Sequence, residues 1–178
     1  KTGIAAQHRG ANDPSGIYSA LIDALLVSQA VAAVLILARV PILTFALEMM
    51  SASAAAQNQA SIYFLVKIWG APGVLATMVL IGWLIGMGNV QAALRLAALP
   101  SLLNVILDYV LVLVFDFGVA GVAFGSVIAS YFAAAYGLQL ASQELRKLSS
   151  KPNFTLRAAR LKRYLVLNYN ILIRTICL

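Results

Sequence analysis

Residues 96–115 read Leu-Ala-Ala-Leu-Pro-Ser-Leu-Leu-Asn-Val-Ile-Leu-Asp-Tyr-Val-Leu-Val-Leu-Val-Phe, a stretch whose only charged side chain is Asp108. About twenty apolar residues are what a helix needs to cross a hydrocarbon layer of roughly 30 Å. The same bias holds across the chain: of 178 residues 62% are hydrophobic and 11% charged, with a mean hydropathy of +0.89. A soluble domain is near half apolar and a quarter charged, so one globular core cannot bury this excess and lipid is the solvent for much of it. In lipid each backbone amide must be satisfied within its own segment or in a closed barrel. The alternation of a barrel strand is missing, which leaves helices. The fold class is therefore all-α, a polytopic transmembrane helical bundle.

Working outward, residues 1–16 are polar and rich in turn formers, ending in Gly10-Ala11-Asn12-Asp13-Pro14-Ser15-Gly16. The bundle occupies residues 1–141, with four spans at about 18–40, 63–87, 96–115 and 118–140. Arg39 and Pro41 close the first, and Ile42 to Met50 reads as an interfacial extension bearing Glu48. A small polar connector covers 51–61, Gly88-Asn89-Val90-Gln91 forms a hinge, and Asp116-Phe117-Gly118 a tight turn. Residues 142–163 form a hydrophilic basic loop, and 164–178 read as the truncated start of a further transmembrane helix. With no initial methionine and an apolar run cut short at Leu178, the sequence reads as an internal fragment.

The basic residues orient the spans. The segments 1–16, 88–95 and 142–163 hold Lys1, Arg9, Arg95, Arg146, Lys147, Lys151, Arg157, Arg160, Lys162 and Arg163, whereas the alternate segments hold only Arg39 and Lys67. The excess puts the first set in the cytoplasm and the chain in the inner membrane. It also explains the net charge of +7 without nucleic acid, because basic loops lie beside anionic lipid. The acceptor-like Asn153-Phe154-Thr155 falls on that cytoplasmic side and is set aside. The single Cys177 and single His8 build neither a disulfide nor a metal cluster, and no nucleophile–base pair or phosphate loop is present. An enzyme is not expected.

Asp108 is the residue most suggestive of chemistry. A charged group in mid-span costs about 2.5–3.5 kcal/mol on insertion scales, so it should face protein or water and mark an ion or substrate path. Asn104 lies four residues earlier on the same helical face. A buried acid held near amide donors suits a group that gains and loses a proton; a neutral acid bonded between helices is the plainer alternative. Asp23 lies near a span end, where snorkelling or capping explains it. Arg39 and Lys67 read as interfacial anchors, as do Trp69 and Trp83. Gly82-x-x-x-Gly86 and Gly121-x-x-x-Gly125 have the spacing of close helix packing, and Pro72 and Pro100 are possible bends.

Taken in order, several strings resemble the MATE (multidrug and toxic compound extrusion) exporters of the DinF-type branch. Thr2 to Asp13, with its Gln-x-x-Gly-Ala-x-Asp core, is similar to the cytoplasmic turn after the second helix of that family. Trp69-Gly70-Ala71-Pro72 and Leu80 to Gly86 resemble its fourth helix. Asn104-Val105-Ile106-Leu107-Asp108 and Gly118 to Ala123 resemble its fifth and the start of its sixth, and Leu167 to Thr175 the opening of its seventh. The resemblance implies the third to sixth helices of a twelve-helix protein, part of its N-terminal lobe. Helices one, two and seven to twelve of the same polypeptide would be its partners, together with the lipid bilayer. It further implies export of small organic, mostly cationic compounds against inward proton or sodium flow, with no cofactor beyond that coupling ion. Asn104 and Asp108 match the amide and carboxylate of the family's ion site, and Ser126 falls where a threonine is common, keeping the hydroxyl without the methyl.

Three functions follow as expectations: a cation-coupled antiporter, a lipid-linked precursor flippase of the same broad superfamily, and a non-transporting scaffold. A flippase would hold pyrophosphate with cations in its cavity, whereas the charge at membrane depth here is anionic, which ranks the antiporter first.

Overall fold

The computed structural model describes residues 14–50 and 52–147. The helices are α1 (Pro14–Leu37), α2 (Arg39–Met49), α3 (Ala54–Lys67), α4 (Ala71–Gly86), α5 (Val90–Asp108) and α6 (Gly118–Arg146). A 3-10 turn, Ile68–Gly70, links α3 to α4, and a π-helical segment, Tyr109–Val114, prolongs α5. Pro14–Leu37, Ala54–Gly86, Val90–Val114 and Gly118–Arg146 are each long and apolar enough to cross a membrane. Residues 1–13, the loop beyond Lys147 and the apolar run at 164–178 lie outside the described residues, as do His8, Asn153 and Cys177.

Prolines account for the breaks between α1 and α2 and between α3 and α4. Pro41 has no N–H for the Leu37 carbonyl, so α1 ends and α2 begins across Ala38. Pro72 cannot donate to Ile68, whose carbonyl accepts instead from Ala71, one residue nearer, which tightens the chain into the 3-10 turn. Pro100 is tolerated inside α5 at the loss of one hydrogen bond. The polar stretch read as a connector is mostly helix: the Ser53 hydroxyl accepts from the Ala56 amide, and Ala54-Ala55-Ala56 propagate readily. Likewise α6 continues through Ser142 to Arg146, and the 88–91 hinge shortens because Asn89 caps α5 directly.

The core lies at one end of the bundle. Ile17 and Leu21 of α1, Leu80, Trp83 and Leu84 of α4, Ala92 and Leu96 of α5 and Leu140 of α6 form one apolar cluster. Trp83 belongs to this cluster and not to the membrane boundary: it is 3% exposed, and its indole N–H donates to the Ile17 carbonyl at 3.4 Å. Asp23 is buried too, not snorkelling to the surface. Helix α6 is the spine and packs on α3, α4 and α5, while α1 packs on α4. The α4–α6 contact is tight enough that a Cβ at Gly73 would stand 2.8 Å from the Ser130 carbonyl carbon.

The same end carries a polar clasp. Asn89 Oδ1 accepts from the Ala92 amide, while its Nδ2 donates to Glu144 Oε1 at 2.7 Å; Lys147 pairs with that same oxygen at 2.7 Å. Asn89→Ala removes both the cap and the clasp, and is expected to cost about 1–2 kcal/mol in denaturation of the full-length protein. At the opposite end the Arg39 guanidinium lies over the Trp69 ring and the Lys67 ammonium over Tyr63, at 5.6 and 5.9 Å. Trp69 is half exposed there, and its carbonyl accepts from the Tyr131 hydroxyl.

Candidate functional site

Helix α5 has two distinct faces. Leu102, Val105, Ile106, Tyr109 and Leu113 point outward. Leu96, Leu99, Pro100, Leu103, Asn104, Leu107 and Asp108 form the more buried stripe, at the three- and four-residue spacing of one helical face. Asn104 and Asp108 thus share a side, and it is the side that meets α6.

Asp108 is six residues past Leu102, the midpoint of Val90–Val114, so it sits about 9 Å beyond mid-span on the end away from the core. Across the seam its Oδ1 lies only 2.7 Å from where a Cβ would stand at Gly125, the residue before the buried Ser126. The side chain therefore reaches the backbone of α6, and α6 admits it because position 125 carries no side chain. Asp108 Oδ1 and Asn104 Oδ1 are both sealed from solvent, and neither has a hydrogen-bond partner among the described residues. No cation pairs with Asp108 among those residues. Ser126 follows Gly125 on α6 and is buried, and it makes no hydrogen bond to either oxygen.

A buried acceptor without a donor costs about 1–3 kcal/mol, and more when it is charged. A proton or a hard cation could satisfy two such oxygens on one helical face. The side chains present are oxygen donors, the type that hard cations and protons prefer.

The backbone changes character directly after Asp108. In the π segment the Phe115 amide reaches back five residues to the Val110 carbonyl, and the Phe117 amide bonds the Leu111 carbonyl. Single π turns are rare and often found at functional sites. The widened turn lets the Leu111 carbonyl lie against α6 at Gly121, where a Cβ would stand 3.2 Å from its oxygen. The chain then reverses through Asp116 and Gly118, both at positive φ, which forms the tight turn.

The sequence profile of the MatE family matches residues 2–110. The chain is also 33% identical over 179 residues to the DNA damage-inducible protein F of Escherichia coli K12, an alignment covering 99% of this chain and 39% of that protein. The chain belongs to the MatE family. It spans about two-fifths of the length of that curated relative. The fold of this MatE chain is also found in a solved structure described as the inward-facing conformation of a multidrug resistance MATE family transporter of the MOP superfamily. The match has a TM-score of 0.71 at 23% identity and covers 78% of this chain and 32% of that one. Membership in a multi-pass membrane family agrees with the four apolar spans.

Within the MatE chain, Asn104 and Asp108 could be singled out by an amide and an acid in an apolar run. The part played by Gly125 could not. Its spacing from Gly121 announces helix packing, and only the folded arrangement brings a carboxylate to it. The π segment leaves no trace in a run as uniform as Tyr-Val-Leu-Val-Leu-Val.

Proposed function

We propose that this chain is part of a secondary transporter that exports small organic cations by alternating access, driven by a proton or sodium ion held at Asp108 and Asn104 with Ser126 beside them. The observation that carries the reading is the pair of sealed, donorless oxygens on α5, one of them carboxylate, facing the α5–α6 seam. A proton or a cation meets that deficit. Only a group that can be both loaded and emptied is useful to an antiporter. If loading the ion and binding the substrate disfavour each other, the coupling is reciprocal and export follows.

Sidedness supports the direction. The starts of α1 and α5 and the ends of α4 and α6 share one end of the bundle, where Arg95, Arg146 and Lys147 lie. With that end cytoplasmic in the inner membrane, Asp108 sits toward the outer face, where an incoming ion would load. The function is transport and not catalysis, and the remaining helices of the same polypeptide complete the substrate path.

The test uses the full-length protein in liposomes, following a cationic dye such as ethidium under an imposed proton or sodium gradient. Gradient-driven movement of the dye is expected. Failure of both gradients to move it, together with translocation of a lipid-linked pyrophosphate, would replace the antiporter with a flippase.

A further inference from the structure

Gly121 and Gly125 share one face of α6, yet they meet different things. Gly121 meets the backbone of the π segment and the Phe117 side chain, the latter 3.0 Å from a would-be Cβ. Gly125 meets the Asp108 carboxylate first, at 2.7 Å, with the Leu107 side chain next at 3.3 Å. Real Cβ atoms do not approach another heavy atom so closely, so a methyl at 125 and the carboxylate in its present seat exclude one another.

We propose that Gly125 is a positioning residue for the ion site: by lacking a side chain it seats the Asp108 carboxylate against the backbone of α6. The proposal rests on Asp108 being the coupling group. It adds that the site's affinity is set from α6, at a position that never touches the ion.

The seat fixes the surroundings of the carboxyl. Among the described residues, no titratable group of the packed elements is hydrogen-bonded to its Oδ1. On α3, Tyr63 and Lys67 pair with each other. On α6, Tyr131 donates to the Trp69 carbonyl, Tyr136 packs against the core cluster, and Glu144, Arg146 and Lys147 lie at the far end. Arg95 on α5 bonds the Gln91 carbonyl, Tyr109 points outward, and Asp116 lies in the turn beyond the π segment. The seat at Gly125 holds the carboxyl against the α6 backbone and away from solvent. A methyl at 125 pushes it out of that seat and changes both.

The experiment compares Gly125→Ala with Gly121→Ala in the full-length protein. The two changes are equal in volume and lie on the same face. For Gly125→Ala the concentration of driving ion that gives half-maximal dye transport is expected to shift by roughly tenfold. For Gly121→Ala it is expected to stay in place even if stability falls. A folded Gly125→Ala protein with an unshifted ion dependence overturns the proposal.

A double-mutant cycle keeps the test sharp if Gly125→Ala alone does not accumulate. Asp108→Ala removes the closest atom and leaves the Leu107 Cβ at 3.3 Å, so adding Gly125→Ala to it should cost less thermal stability than in the parent. Equal losses in both backgrounds overturn the proposal. The cycle reads geometry without transport, so it separates this proposal from the ion-coupling reading: unchanged ion dependence in Asp108→Asn sinks the latter alone.

Discussion

In the full-length protein, Asp108→Asn is expected to abolish the dependence of efflux on the ion gradient, lowering gradient-driven dye export by roughly 5–150-fold, the span of a coupling free energy of 1–3 kcal/mol. The substitution keeps shape and volume, and it keeps an oxygen that can lie against Gly125. What it removes is the ability to carry charge or take up a proton. The helix should tolerate the change well, since an amide avoids the penalty of a charge in lipid. Dye binding at equilibrium should therefore survive while the drive is lost. Efflux under a gradient, set beside dye binding without one, separates the two effects. Asp23→Asn is the companion variant: Asp23 is buried at the core end of α1, away from the α5–α6 seam, so its replacement should leave ion dependence intact.

The second large effect concerns stability. Gly73→Val is expected to cost about 3 kcal/mol or more and to prevent recovery of folded protein. A Cβ at position 73 would stand 2.8 Å from both the carbonyl carbon and the hydroxyl of Ser130, and 2.9 Å from the carbonyl oxygen. Two of those atoms are backbone, which cannot rotate away, so α4 and α6 would have to separate. Separation would also stretch the Ser130 hydroxyl from the Gly70 carbonyl, now 3.3 Å away, and the Tyr131 hydroxyl from the Trp69 carbonyl, at 2.9 Å. Overpacking costs about 1–3 kcal/mol where side chains can adjust, and this site offers little adjustment. Gly73→Ala should fall within that range. Thermal denaturation in detergent, with recovery from size-exclusion chromatography, measures both variants.

Hydropathy made the four spans legible because lipid imposes a long apolar run that little else in a protein needs. It was a poorer guide to helix ends outside the hydrocarbon. Residues 54–62 are small and partly polar, and hydropathy reads them as a connector. It cannot say that Ser53 caps a helix there and that the helix runs on into the span. Trp83 shows a different limit. An indole near a span end suits the interface equally well, and only the packing of α1 gives its N–H a carbonyl and its ring a core. Asp23 is similar: its distance from the span end suggested water, and the neighbouring helix denies it. For Asp108 and Asn104 the residue types and their spacing of four carried the reading as far as a shared face. The partner face, and the way a glycine on α6 receives the carboxylate, depend on how α5 and α6 pack, which no residue pattern announces.

Infrared difference spectroscopy of the full-length protein, recorded as the driving ion is added, addresses the role of Asp108 most directly. A carboxyl signal that responds to the ion in the parent and in Asp23→Asn, and is absent in Asp108→Asn, is the expected result. An ion-induced spectrum unchanged by Asp108→Asn would show that this side chain neither binds the ion nor takes up the proton, and would contradict the proposed coupling site.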